Sequence, residues 1–217
     1  MGIHFDASES ALVNYLAGTT GLGDDAALRR IDSAMNWPVN ATTKSGLWTG
    51  GPQASTSGSV ASTIGRLGLV PWTVAAPVSY DRVAIRITIA GDATFSLAVG
   101  LYSLNDECSL FTRVKDWGVI PGNSLGVVEV SGATPVLAPG AYAVALLALG
   151  SGTSPTIQQN TGVNSLGCIY PGMASVFNEY GTLGRFVADG FSALPETVAY
   201  SSLSRNSTYW NFCLRVA

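Results

Sequence analysis

One nine-residue stretch constrains the fold more than any other: Asp81 to Ile89, reading DRVAIRITI. Val83, Ile85, Ile87 and Ile89 fall on one face of an extended chain. Arg82, Ala84, Arg86 and Thr88 fall on the other. A period of two over this length predicts a β-strand with one buried face and one wet face.

The same texture continues down the chain. Gly91-Asp92 is a turn dipeptide, and Phe95, Leu97, Val99 and Leu101 alternate after it. Short apolar runs at Arg66–Trp72, Leu125–Val130 and Pro135–Leu137 predict further strands. Pro139-Gly140 turns the chain into Ala141–Leu149, which is apolar on both faces, as a covered central strand should be. Residues 150–165 are polar and Gly-rich. Strand character is weak at Cys168–Tyr170, and 171–206 carries no long periodic segment. Tyr209–Val216 closes the chain with an aromatic, alternating run. Short strands between Gly and Pro turns, without amphipathic helices after residue 46, predict a mainly β fold. The expected form is an antiparallel β-sandwich or jelly roll. A parallel sheet would need helical crossovers, and a propeller would need a fixed repeat.

The first 46 residues differ. Asp6 or Ser8 can cap a short helix carrying Leu12, Tyr15 and Leu16, which Gly18 would stop. A second helix from Asp24 would carry Leu28, Ile31 and Met35, with Trp37-Pro38 at its end. Neither stripe is long enough to stand alone, so this helical arm must dock on its own sandwich or on another subunit. Residues 47–63, small and polar with Gly, Ser and Pro, read as a linker. The expected organisation is an anchoring arm at 1–46, a linker at 47–63 and a sandwich at 64–217.

Composition narrows the function classes. Hydrophobic residues make up 47% and charged residues 12%, enough apolar material for a core and the wrong balance for a disordered chain. The net charge of −3, with scattered cations, offers no basic stripe, so no nucleic-acid partner is expected. The longest apolar run, nine residues, is too short for a membrane helix, and no membrane insertion is expected. The N-terminus lacks a secretion signal, so the Asn-x-Thr matches at Asn40 and Asn206 read as chance. Cys108, Cys168 and Cys213 show no metal-ligand spacing and suit a reducing cytoplasm.

No motif argues for catalysis. Gly122-Asn123-Ser124-Leu125-Gly126 matches the nucleophile elbow G-x-S-x-G, but a strand should follow it where a helix is needed. The single histidine is His4. Asp81, Asp92, Asp106, Glu107, Asp116, Glu129, Asp189 and Glu196 could in principle supply the carboxylate pair of a glycosidase. Most sit where turns favour Asp. Asn105-Asp106-Glu107 offers oxygen ligands but no calcium-loop pattern, and neither cofactor nor metal is expected. Loop aromatics are the candidate ligand-binding residues: Trp48, Tyr170, Phe177 and Tyr180, suited to stacking on sugar rings or pinning loops to the body.

From residue 47 onward the order of features resembles the β-sandwich domain of bacteriophage tail-fibre proteins. The residues that carry this are Leu69-Val70-Pro71-Trp72-Thr73-Val74 with Tyr80 to Ile85, Leu97 to Tyr102 after Gly91, Leu137 to Ala145 with its Pro-Gly-Ala-Tyr turn, and Trp210 to Arg215. The resemblance implies a trimeric, non-enzymatic virion structural protein, made in the bacterial cytoplasm and displayed on the particle surface. Its implied partners are its own copies, other virion proteins of tail, fibre or capsid, and a host cell-surface glycan. The chain lacks the long shaft of attachment fibres, so a capsid decoration protein is the first alternative. A carbohydrate-binding module is the second. The arm residues Leu12, Tyr15, Leu16, Leu28, Ile31, Met35 and Trp37 are the expected anchoring or oligomer contacts.

Overall fold

A computed structural model describes residues 45–50, 57–74, 76–161, 185–206 and 208–217. The chain divides into two units, 1–42 and 43–217. The expected helical arm and its seven contact residues lie outside the described residues.

The second unit is a sandwich of two antiparallel sheets, each of seven strands among the described residues. The first sheet is built on β4 (Tyr80–Ile89), flanked by β7 (Gly126–Ser131) on one side. On the other side β4 has two partners. Its first half pairs with β14 (Phe212–Val216), and its end pairs with β9 (Thr156–Thr161). β1 (Trp48–Gly50) borders β14, while β2 (Ser57–Ala61) and β13 (Thr208–Trp210) border β9. The second sheet runs β11 (Thr197–Ala199), β6 (Leu110–Pro121), β5 (Phe95–Leu104), β8 (Gly140–Gly150), β3 (Leu67–Val74), β10 (Arg185–Ala188) and β12 (Ser204–Asn206).

The alternation in β4 builds the core as its sequence dictates. Val83, Ile85 and Ile87 are each at most 2% exposed and face the second sheet, while Arg86 is exposed. Trp72 of β3 closes the layer from the other side. Its ring meets Tyr80 and Phe212 edge-on, with centroids 6.4 and 5.7 Å away, and its indole N–H donates to the Tyr80 hydroxyl at 3.2 Å. Such edge-to-face pairs add to the area they bury. Trp117 of β6 ties the sheets again by donating its indole N–H to the Gly132 carbonyl at 2.7 Å.

β8 is covered on both faces: Tyr142 through Ala148 are buried. Over β5 and β6 the outer cover includes the segment before β11. There Leu194 lies against Gly100, the Tyr102 hydroxyl donates to the Pro195 carbonyl at 2.6 Å, and the Arg113 guanidinium donates to the Leu194 carbonyl. The near-continuous apolar sequence of β5 and β8 therefore reflects two dry faces.

Three sequence expectations change. Ile89, expected inside, is 62% exposed. The register against β9 advances from Ile87–Ile157 to Ile89–Thr156, so β4 spends an extra residue there and the side-chain phase turns over. Residues 47–63 read as a linker by composition, yet β1 and β2 lie within them as paired strands. Backbone ladders need no apolar side chains at a sheet margin. Residues 185–206 read as irregular but contribute β10, β11 and β12, each of three or four residues and so too short for a period to show.

Candidate functional site

Of the four loop aromatics, Trp48 alone is described. It lies on β1, opposite Arg215 of β14, and is 40% exposed. It is a strand residue at a sheet margin, where sequence placed it in a loop. Tyr170, Phe177 and Tyr180 lie outside the described residues. The concave surfaces among the described residues are built from other residues.

The first concavity opens where β4 changes partner. Between Ile85, which pairs with β14, and Ile87, which pairs with β9, the neighbouring strands part. Arg86 stands at that position and points outward by the strand's alternation. The opening measures about 310 Å³ and is lined by Arg86, Val127, Gln158, Asn211, Cys213 and Ala84, with Ile85 and Phe212 beneath. Asn211 lies at the break between β13 and β14 and donates its backbone N–H to the Gln158 carbonyl at 3.0 Å. That bond brings two carboxamides to one rim. Neither has a side-chain hydrogen bond among the described residues. Burial raises the Cys213 thiol's pKa and keeps it protonated on this wall.

The electrostatics single out Arg86. Arg66 pairs with Asp189 at 2.7 Å, Arg82 with Glu129 at 2.9 Å and Arg113 with Asp116 at 3.7 Å. Arg215 holds both oxygens of Asp81. Among the arginine side chains described, Arg86 is the one without a carboxylate or hydrogen-bond partner among the described residues.

The second concavity, about 460 Å³, lies at one end of the second sheet beside Thr73, Ser103, Asn105, Asp106, Cys108 and Tyr142. Asn105 organises it. Its side-chain oxygen accepts from the N–H groups of Ser109 and Leu110, and its amide donates to Glu107 at 2.8 Å. Cys108 sits in this turn at φ 53°, the one described non-glycine residue with positive φ. These bonds satisfy the loop internally.

The hydrolase match resolves into turn geometry. Ser124 donates its N–H to the Pro121 carbonyl at 3.2 Å, and strand β7 follows it. Gly122 approaches Phe95 too closely for a side chain, and Gly126 has φ 87°. Of the eight carboxylates weighed for glycoside hydrolysis, Asp81, Asp116, Glu129 and Asp189 pair with arginines. Asp92 accepts from the Thr153 N–H at 2.6 Å. The Arg215 guanidinium holds the Asp81 carboxyl below its ordinary range, and Arg66 does the same for Asp189. Among the described residues no three His, Cys, Asp or Glu side chains gather as a metal site.

Sequence reasoning missed the cleft at Arg86. Its rim comes from residues 86, 127, 158 and 211, which no local pattern connects. The one available signal was Arg86 itself, an arginine on the wet face of the strongest strand.

No protein-family model matches the chain, and no curated protein matches it. Among solved structures it is similar to the cysteine protease and lectin-like domains of Cwp84, a surface layer associated protein of Clostridium difficile. That match has 10% identity and a TM-score of 0.38, covering 70% of this chain and 33% of the other. A variant of the clostridial cysteine protease Cwp84 after propeptide cleavage matches at 8% identity and a TM-score of 0.41, covering 78% and 40%. A structure of infectious bursal disease virus, Gt strain, matches at 15% identity and a TM-score of 0.31, covering 79% and 42%. The chain spans less than half the length of each. Likenesses this distant carry no argument about activity, ligand or assembly, and the fold they accompany is a β-sandwich.

Proposed function

We propose that this chain is a non-enzymatic structural protein of a bacteriophage particle, its sandwich displayed on the surface and its N-terminal arm serving as anchor. The observation that carries the assembly role is an apolar end of the sandwich. Ile89, Val119 and Leu125 are 62%, 57% and 68% exposed. Ile89 ends β4, Val119 lies near the end of β6 and Leu125 directly precedes β7, and at the turn that joins β6 to β7 Gly91 donates its N–H to the Gly122 carbonyl at 2.8 Å. Beside them β7 pairs with β4, and among the described residues nothing pairs with its other edge. Exposed aliphatic side chains beside an open strand edge are what a protein–protein contact covers. The tail-fibre resemblance of residues 69–145 and 210–215 supplies the particle, and a trimer is the assembly it implies.

Light scattering of the full chain tests this. The expected result is a stable oligomer that Leu125→Glu or Val119→Glu shifts toward monomer. A wild-type monomer at high concentration would overturn the assembly role. A capsid decoration role uses the same contact, and only the position on the particle separates it from a tail or fibre role.

A further inference from the structure

We propose that the cleft at Arg86 binds a carboxylated sugar, with the guanidinium taking the carboxylate and the carboxamides of Gln158 and Asn211 taking ring hydroxyls. Three observations carry this. The cleft arises from the fold, because β4 leaves β14 for β9 at this residue and the neighbouring strands part. At about 310 Å³ it is at the small end of ligand-site sizes, room for a single sugar unit with its neighbours in solvent. Its polar groups are also uncommitted. Arg86 has no carboxylate among the described residues, whereas Arg66, Arg82, Arg113 and Arg215 each have one.

The chemistry selects the ligand class. A guanidinium matches a carboxylate bidentately, which favours an acid over a neutral sugar. Two carboxamides supply both donors and acceptors, which hydroxyl groups use in either direction. Val127, Ala84 and Cys213 form an apolar wall for the C–H face of a ring. The protonated state of Cys213 keeps a second negative charge away from the incoming acid. An acidic peptide shares the carboxylate but lacks the hydroxyls that the two carboxamides would read.

The proposal takes its biological sense from the particle-surface reading, but its chemistry is independent of it. Binding to the purified full chain can succeed while particle labelling fails, and the reverse.

The experiment is titration of the full chain, by calorimetry or NMR, with a glucuronic acid-terminated disaccharide, its glucose-terminated counterpart and a glutamyl dipeptide. The acid disaccharide should bind, the neutral one at least about tenfold more weakly. Arg86→Gln should weaken acid binding by about tenfold or more and leave the neutral sugar unaffected. Arg86→Lys should recover part of the loss. Gln158→Ala and Asn211→Ala should each weaken binding several-fold. Arg86 is exposed, so its variants should keep the wild-type thermal midpoint, and binding can then be compared directly. Equal binding of acid and neutral sugars, an Arg86→Gln variant that binds like wild type, no acid-sugar binding at millimolar ligand, or binding of the dipeptide alone would each overturn the proposal.

Discussion

Gly122→Ala is the sharpest test of how the turn between β6 and β7 is built. A Cβ at Gly122 would lie 2.7 Å from the Phe95 Cβ, 2.7 Å from the Phe95 carbonyl oxygen and 3.0 Å from the Asp92 carbonyl oxygen. Carbon atoms pack near 3.5–4.0 Å, so the gap must open by roughly 1 Å. Neither side can yield easily. Phe95 is fully buried in the core. Gly122 is pinned by its own N–H donating to the Phe95 carbonyl at 2.7 Å and its carbonyl accepting from Gly91 at 2.8 Å. Overpacking of this kind costs about 1–3 kcal/mol, and weakening two backbone hydrogen bonds adds about 1 kcal/mol. The expected loss is about 3 kcal/mol, or a Tm lower by about 6–12 °C for a unit of this size. Urea denaturation and a thermal scan would measure it. Ser124→Ala, two residues away, should stay within about 0.5 kcal/mol of wild type. A Gly122→Ala loss below about 1 kcal/mol would refute the close-approach argument. A large effect of Ser124→Ala on any hydrolytic turnover would revive the nucleophile that the turn geometry argues against.

Other consequences follow from the same contacts. Arg215 depresses the Asp81 carboxyl's pKa in the folded state, so the pair's stabilisation is present above the unfolded carboxylate pKa and is lost as pH falls through the lower folded value. Arg215→Gln should therefore raise the Asp81 midpoint in an NMR titration and flatten that part of the acid-unfolding profile. Trp117→Phe keeps an aromatic ring but removes the donor to Gly132 and part of the buried indole's volume, and should cost about 2–3 kcal/mol by urea denaturation. Tyr102→Phe leaves the Pro195 carbonyl without its hydroxyl donor, and faster hydrogen exchange should appear in 189–199 before it appears in β5.

Legibility in the sequence followed the regularity of the backbone. β4, β5 and β8 were readable because long strands with dry faces print a period of two, or an unbroken apolar run, into the chain. β6 was not, although at twelve residues it is the longest of the described strands. Its register against β5 slips twice, past Val114 and past Trp117, and each extra residue reverses the alternation. Gly118, at φ 92°, follows the second slip, and its N–H is held by the Asp116 side chain at 2.8 Å. The strand thus reads locally as a turn. The margins β1, β10, β11 and β12 have only three or four residues and are fixed by their partners. For the site, Arg86 was visible as a charged residue on a wet face. Its company of Val127, Gln158 and Asn211 depends on where two strands separate, which only the paired sheet reveals.

Immunogold electron microscopy of intact particles, with antibody raised against the sandwich, tests the central claim most directly. The account predicts regular label on the particle exterior, at fixed positions that also assign it to tail, fibre or head. Label confined to unassembled protein, with clean particles from the same lysate, would contradict it.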